Sequence, residues 1–193
     1  MNAKVPDENF AGAILDDKTV KSLEFRHLIN INKYRSIWMK SFANELSRLA
    51  QVIRDISGTD TIKFIPYYDV PVQTTVTYGQ TVCTYRPQKD KKHCMRLNVG
   101  GNLIVCLFDV SAPTSDLTTA KLLFNSVIST PGTGFVTLDL NNFYLGTPLP
   151  EARYMKMKLD ILPDEIIKKN TLLNIVPNGW VYFRIKKVMY GLK

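Results

Sequence analysis

The sequence predicts an α+β fold with largely antiparallel strands, because it contains two kinds of hydrophobic pattern. In some segments apolar residues recur every three or four positions, which is the period of a helix with one buried face. In others apolar and polar residues alternate, which is the period of a strand with one buried face. The chain has 193 residues, 45% of them hydrophobic. It is therefore long enough for one domain with its own core and is not expected to be disordered.

Three helices are predicted. The first covers residues 34–54 and ends before Gly58. The second covers residues 116–129, after a stop and cap signal at Pro113-Thr114-Ser115. A third, short helix covers residues 163–170. The apolar stripe of the first helix consists of Trp38, Phe42, Leu46, Leu49 and Ile53.

Strands are predicted where Thr, Val, Tyr and other β-type residues accumulate. Residues 87–92 form a polar, charged turn between two of these runs, which predicts a hairpin with a basic tip. Residues 1–33 show no clear period and are predicted to be an extended or poorly ordered lead-in to one domain over residues 34–193. The predicted strands are residues 63–65, 74–78, 81–86, 94–99, 135–140, 154–159 and 180–186.

Positive charge is concentrated in two short segments. The formal net charge is +8, and residues 86–96 carry five cations against one acid, while residues 184–193 carry four cations and no acid. Clustered cations attract a polyanion, because each phosphate contact releases counterions. The alternative interpretation is that each segment is a solvated charged face. The candidate nucleic-acid contacts in these segments are Lys89, Lys91, Lys92, Arg96, Arg184, Lys186 and Lys187.

Cysteine usage and hydropathy favour an intracellular location without a membrane partner. An odd number of cysteines, three, suits a reducing compartment better than a disulfide framework. The longest apolar run, residues 103–108, is far shorter than the ~20 residues that a spanning helix needs. Since the cysteines and His93 lack the CxxC or HxxxH spacing of zinc ligands, buried thiols are expected: Cys83, Cys94 and Cys106.

Asp139 is the acidic residue whose position in the pattern points to chemistry. It stands near the end of an apolar run, on the predicted open face with Thr137. A carboxylate there could hold a hard divalent cation through oxygen, or it could cap the turn that follows. The pattern by itself leaves both interpretations open.

Three segments match, in order, motifs of one enzyme family. Residues 139–155 align without a gap to a motif written DVKNAFLHGDLEEEVYM, with Pro148 in place of Asp. Residues 186–193, KKVMYGLK, are similar to KKSLYGLK. Residues 96–101, RLNVGG, are similar to RLVAKG, with Gly100 in place of Lys. Over about residues 36–193 the chain thus resembles the reverse transcriptase of copia-type LTR retrotransposons.

The resemblance implies the fingers and an incomplete palm of a right-hand polymerase fold. The family activity is RNA-directed DNA polymerisation: an RNA template and two Mg²⁺ ions direct transfer of a nucleotide from dNTP to the 3′-hydroxyl of a DNA primer. The family works in cytoplasmic particles. By the same resemblance, Asp139 would be a catalytic residue and Mg²⁺ ligand, and the Leu140 backbone carbonyl would be a second metal ligand.

The remaining site residues follow from the same alignment. Tyr144 would lie under the sugar of the incoming nucleotide and exclude a 2′-hydroxyl. Arg96 and Lys89 would bind the triphosphate, together with Lys91 and Lys92 at the hairpin tip. Leu140 completes the nucleotide-binding set, whereas the lysines of the tip and the cations at 184–187 would contact the nucleic acid.

The family also has a second acidic motif, YxDD, downstream of YGLK. The 193 residues contain no such motif, since Asp16-Asp17 and Asp164-Glu165 lack the tyrosine and the required order. We therefore expect the N-terminal part of a reverse transcriptase, inactive as a polymerase by itself. The alternatives are an RNA- or DNA-binding module without catalysis and a retroelement remnant without function.

Overall fold

The structure, a computed structural model, describes residues 14–15, 22–50, 56–86, 88–104, 115–138, 140, 142–176 and 178–192. Its strands are β1 (Ile14–Leu15), β2 (Ser22–Leu23), β3 (Ile62–Ile65), β4 (Val76–Tyr85), β5 (His93–Val99), β6 (Pro148–Lys158) and β7 (Trp180–Lys187). Its α-helices are α1 (Phe25–Asn30), α2 (Asn32–Leu49), α3 (Leu117–Ser129), α4 (Phe143–Gly146) and α5 (Asp164–Lys169). Single 3₁₀ turns occur at Tyr67–Asp69, Gly101–Leu103, Leu159–Ile161 and Leu172–Asn174.

Five strands form one sheet in the order β3-β7-β6-β4-β5, and β1 pairs with β2 in a separate short ladder. The pairs β3–β7, β7–β6 and β4–β5 are antiparallel, and β4–β6 is parallel. The mixture of helices with a mainly antiparallel sheet confirms the predicted α+β class. These strands belong to one unit, Met1–Ile104 with Tyr144–Lys193, and residues Val105–Phe143 form a second.

The first unit has its core between the sheet and helices α1 and α2. Four predicted stripe residues of α2 are buried as expected, whereas Ile53 lies outside the described residues. Alternation along β6 and β7 supplies the sheet's share of this core, and we call that side of the sheet the inner face. The opposite side is the outer face. The main inner-face residues are Met155, Met157, Val181, Phe183 and Ile185.

Helix α1 is a difference from the predicted lead-in over residues 1–33. Phe25, Leu28 and Ile29 are three and four positions apart and are buried in the core. A helix of six residues gives too few repeats of its period for the pattern to stand out in sequence. The secondary structure predicted for residues 25–33 was therefore wrong, while the domain boundary at residue 34 stays a prediction.

Gly79 explains why two predicted strands, 74–78 and 81–86, are one strand. Gly79 lies between the two predicted strands, but it continues β4 and pairs with Val99. Its hydrogen atoms face the Met157 side chain, which a Cβ would overlap. Close packing, not a turn, accounts for this glycine. The predicted hairpin and the helix at 163–170 are confirmed, as β4–β5 and α5.

The second unit contains the predicted helix at 116–129, observed as α3. The Asp116 carboxylate accepts the Thr119 backbone N–H at 2.8 Å, so the N-cap is Asp116 instead of the Pro113–Ser115 segment. The strand predicted over 135–140 was wrong: residues 135–138 and 140 have no regular structure and are exposed. A strand forms only with a hydrogen-bonded neighbour, and none of the described ladders includes these residues.

Candidate nucleic-acid interface

The outer face of the sheet is lined by cations and aromatic rings. Paired residues of neighbouring strands point to the same face, and here Lys63 lies opposite Arg184, and Lys158 opposite Trp180. Among the outward positions of these ladders in the described strands there is no carboxylate. The outward cations are Lys63, Arg96, Lys156, Lys158, Arg184 and Lys186, and the accessible outward rings are Tyr78, Trp180 and Tyr182, whereas Tyr154 occupies an outward position but is buried.

The cations and rings are in contact with one another at one end of this face. The Lys156 Nζ is 5.0 Å and the Lys158 Nζ 6.0 Å from the Trp180 ring centroid, both within cation–π range. Tyr67, from the turn after β3, packs on Tyr182 with 5.3 Å between ring centroids. The result is a surface that offers flat rings and positive charge side by side.

Lys63 and Arg184 are an unfavourable pair in the sheet. They occupy directly opposite positions on β3 and β7, and both side chains are exposed. Like charges directly opposite in a ladder are destabilising. An anion between them would remove this repulsion.

Lys186 and Lys187 bind other groups of the chain. The Lys186 ammonium pairs with Asp60, and Lys187 donates to the Thr59 carbonyl. These contacts hold the end of β7 against the segment before β3. The structure thus gives both lysines anchoring contacts, next to Arg184, which is exposed.

Tyr144 lies in the first unit at the Lys186 end of β7. The Thr61 carbonyl accepts the Lys186 backbone N–H, and the Thr61 hydroxyl donates to the Leu145 carbonyl at 3.3 Å. Leu145 is buried, whereas its neighbour Tyr144 exposes most of its ring. A buried anchor therefore holds an accessible ring beside the basic strand.

Two of the motif segments, 96–101 and 186–193, pack against each other. The Arg96 guanidinium lies 5.0 Å from the Tyr190 ring centroid, and the Val99 N–H donates to the Tyr190 carbonyl at 2.7 Å. Gly191 has φ of +88°, and a Cβ there would overlap the Val99 carbonyl oxygen. The glycine thus permits both the left-handed backbone and the close approach to β5.

A buried ion pair on α2 supports the same strand. Glu45 accepts two hydrogen bonds from Arg48, at 2.9 and 2.7 Å, and the Leu97 backbone N–H donates to it at 3.3 Å. Burial lowers the pKa of Arg48, but hydrogen bonds and charge from Glu45 and Tyr190 outweigh this, so the pKa is raised. Arg48 therefore stays charged and joins α2 to the segment that carries Tyr190.

The hairpin tip presents Lys89, Lys91 and Lys92 to solvent. Hydrogen bonds from the Arg86 N–H to the Lys92 carbonyl (2.7 Å) and from the Lys89 N–H to the Arg86 carbonyl (3.1 Å) close the turn. At its base, burial and the charge of Lys92 lower the pKa of His93. The tip thus carries three accessible cations on an ordered turn.

The described structure leaves the predicted catalytic set untested. Asp139 lies outside the described residues, Leu140 is an exposed residue of the second unit, and Tyr144 belongs to the first. Within the described residues no group of three His, Cys, Asp or Glu side chains is placed to hold a metal ion. The Mg²⁺ site stays a prediction that depends on Asp139. Of the predicted buried thiols, Cys83 is buried, Cys94 is half-buried and Cys106 is not described.

Three cations of the outer face were missed in sequence: Lys63, Lys156 and Lys158. The two clusters of positive charge in the sequence lie at 86–96 and 184–193, whereas these three lysines lie outside both clusters. Their signal was the alternation of Lys156 and Lys158 with Met155 and Met157, which marks an exposed cationic side of β6. Pairing of β6 and β3 with β7 is what joins them to Arg184.

Comparison of the chain with protein-family profiles, with curated proteins and with solved structures found no match. Separately, in the described part of the chain no helix is long and apolar enough to cross a membrane.

Proposed function

We propose that this chain binds nucleic acid on the outer face of its sheet. The observation that carries the proposal is the ladder of cations with neighbouring aromatic rings, in which no carboxylate occupies a paired outward position of the described strands. Phosphates require cations and bases offer flat surfaces to aromatic rings, so one face meets both needs of a nucleic acid. The repulsion between Lys63 and Arg184 gives a further reason for an anionic ligand.

The number of available cations sets the expected salt dependence. Lys63, Lys156, Lys158 and Arg184 lie on the neighbouring strands β3, β6 and β7, whereas Lys186 is engaged with Asp60. Four phosphate contacts give a slope of roughly −3 for log K against log salt with a single strand. Binding should therefore weaken steeply between low and physiological salt.

Fluorescence anisotropy of a labelled 20-nucleotide single strand, over a salt series, tests the proposal. The double variant Lys63→Gln/Arg184→Gln should weaken binding and reduce the slope to roughly −1.4, since two contacts are lost. The control Arg26→Gln/Lys33→Gln removes the same charge from exposed positions on α1 and α2 and should change binding little. Equal loss in both variants, or no binding at low salt, would refute the proposal.

The same change should leave the fold intact. Replacing Lys63 removes a like-charge contact, so the unfolding midpoint in urea should stay or rise while affinity falls. Loss of affinity together with a lower midpoint would instead indicate damage to the sheet. This comparison separates a binding role from a structural one.

We propose, in addition, that the chain is the nucleic-acid-binding front part of a copia-type reverse transcriptase. The support is that segments 96–101 and 186–193, which carry much of the resemblance, are in direct contact through Arg96, Val99 and Tyr190. Since the 193 residues lack YxDD, we expect no primer extension by this chain with RNA template, DNA primer, dNTP and Mg²⁺. Extension that Asp139→Ala abolishes would contradict that expectation.

A further inference from the structure

We infer that the groove beside Trp180 is a subsite for one unpaired base, so that the ligand of the outer face is a single strand. The inference rests on the proposed function. The groove has a volume of about 600 Å³ and lies next to the end of the outer face where Lys156 and Lys158 contact Trp180. Its walls include Arg35, Met39, Lys158, Asp160, Asn178 and Trp180.

The size and the lining of the groove suit a base. Binding pockets for small organic groups commonly measure ~300–1,000 Å³ and combine apolar walls with a few polar groups. The lining residues include Met39, Leu162 and Trp180, which are largely apolar, and Asp160 and Asn178, which carry hydrogen-bonding groups. Carboxylates accept from base amino groups, and amides both donate and accept, as base edges require.

The groove is lined by two cations, Arg35 and Lys158, and two carboxylates, Asp160 and Asp164, and Lys156 adds a third cation beside Trp180. The Lys156 and Lys158 ammonium groups are held beside the indole, at the point where the outer face meets the groove. Arg35, on the other wall, donates one hydrogen bond to the Ile29 carbonyl at 3.1 Å, and a guanidinium has five N–H groups. Phosphates on both sides of the base would thus meet cations.

A duplex cannot use this subsite. Its bases are stacked and paired inside the helix, and only an unpaired base can turn into a groove and stack on a side chain. Stacking of a base on an aromatic residue strengthens binding by about 5- to 160-fold. We therefore expect preference for a single strand over a duplex of equal length.

The test compares a 12-nucleotide oligothymidylate with an abasic oligomer of the same length and charge. The wild-type chain should bind both, and the thymidylate at least about fivefold more tightly. Trp180→Ala should weaken thymidylate binding by about 5- to 160-fold and abasic binding by much less, because only the loss of the lysine contacts to the ring affects the abasic oligomer. Trp180→Phe keeps a ring that can stack and should stay within about threefold of wild type.

Tryptophan fluorescence gives an independent readout, because the chain has two tryptophans and Trp38 is buried. Thymidylate should quench emission in the wild type and not in Trp180→Phe. Equal affinity for both oligomers, or quenching that persists in Trp180→Phe, would overturn the base subsite and leave phosphate binding intact. Failure of both oligomers to bind the wild type would overturn the proposed function and this inference together.

Discussion

The ion pair between Glu45 and Arg48 gives a prediction whose size follows from the structure. Glu45 is 6% exposed and Arg48 24% exposed, and two hydrogen bonds join them. Glu45→Gln removes the negative charge but keeps an acceptor for the Leu97 N–H. Removing one partner of a fully buried pair costs ~3–5 kcal/mol. Because Arg48 keeps partial exposure and its contact with Tyr190, we expect about 2–3 kcal/mol.

Glu45→Ala should lower the free energy of unfolding by about 1 kcal/mol more than Glu45→Gln, since the N–H of Leu97 in the edge strand β5 also loses its acceptor. The double variant Glu45→Met/Arg48→Met removes both charges and replaces them with apolar chains of similar length. Apolar replacement of a whole buried pair is often neutral, so this variant should be more stable than Glu45→Gln. The difference separates the penalty for an unpaired charge from the loss of packing.

Urea unfolding followed by circular dichroism measures these free energies by linear extrapolation. A typical domain is stable by ~5–15 kcal/mol, so the expected loss is a large fraction of the total. The reasoning would be refuted if the free energy of unfolding of Glu45→Gln lay within about 0.5 kcal/mol of the wild-type value. It would equally be refuted if the double methionine variant were less stable than Glu45→Gln.

Three further predictions concern other parts of the first unit. Gly191→Ala forces a Cβ against β5 at positive φ and should lower the free energy of unfolding by about 1–3 kcal/mol. Gly179 also has positive φ but lies in open space, so Gly179→Ala should lower the free energy of unfolding by less in the same urea assay. Because the pKa of His93 is lowered in the folded state, the unfolded state binds the proton more readily, so the free energy of unfolding should fall as pH drops below about 6.5. His93→Gln should remove that part of the pH dependence, and parallel curves of unfolding free energy against pH for the two proteins would contradict the prediction. Burial raises the pKa of Cys83 to about 12, so iodoacetamide at pH 8 should alkylate Cys94 and spare Cys83 in the folded chain. Peptide mass spectrometry measures the labelling of each cysteine, and equal labelling of the two would disprove the burial argument.

Local patterns were sufficient to predict the long helix and most strands. The spacing of Trp38, Phe42, Leu46 and Leu49 predicts a helix because only a 3.6-residue period places them on one side, and all four are buried. Alternation predicts the strand at 180–186, because Val181, Phe183 and Ile185 need a common buried side. In both cases the pattern extends over enough residues to show its period.

Long-range pairing decided what local patterns could not. Residues 135–140 alternate like a strand, but no described ladder takes them in, and a strand has no stability without a neighbour. Gly79 resembles a break in sequence and is a packing position in the fold, because Met157 approaches it from another strand. Nothing within a few residues of either position carries that information.

The same distinction between local sequence and long-range pairing applies to the candidate site. By itself the sequence determined that the chain is basic and that its excess charge is concentrated at 86–96 and 184–193. Only the tertiary structure decided which cations share a surface: it engaged Lys186 with Asp60 and placed Lys63 beside Arg184. The physical reason is that sheet register joins residues more than a hundred positions apart, and register depends on the whole core.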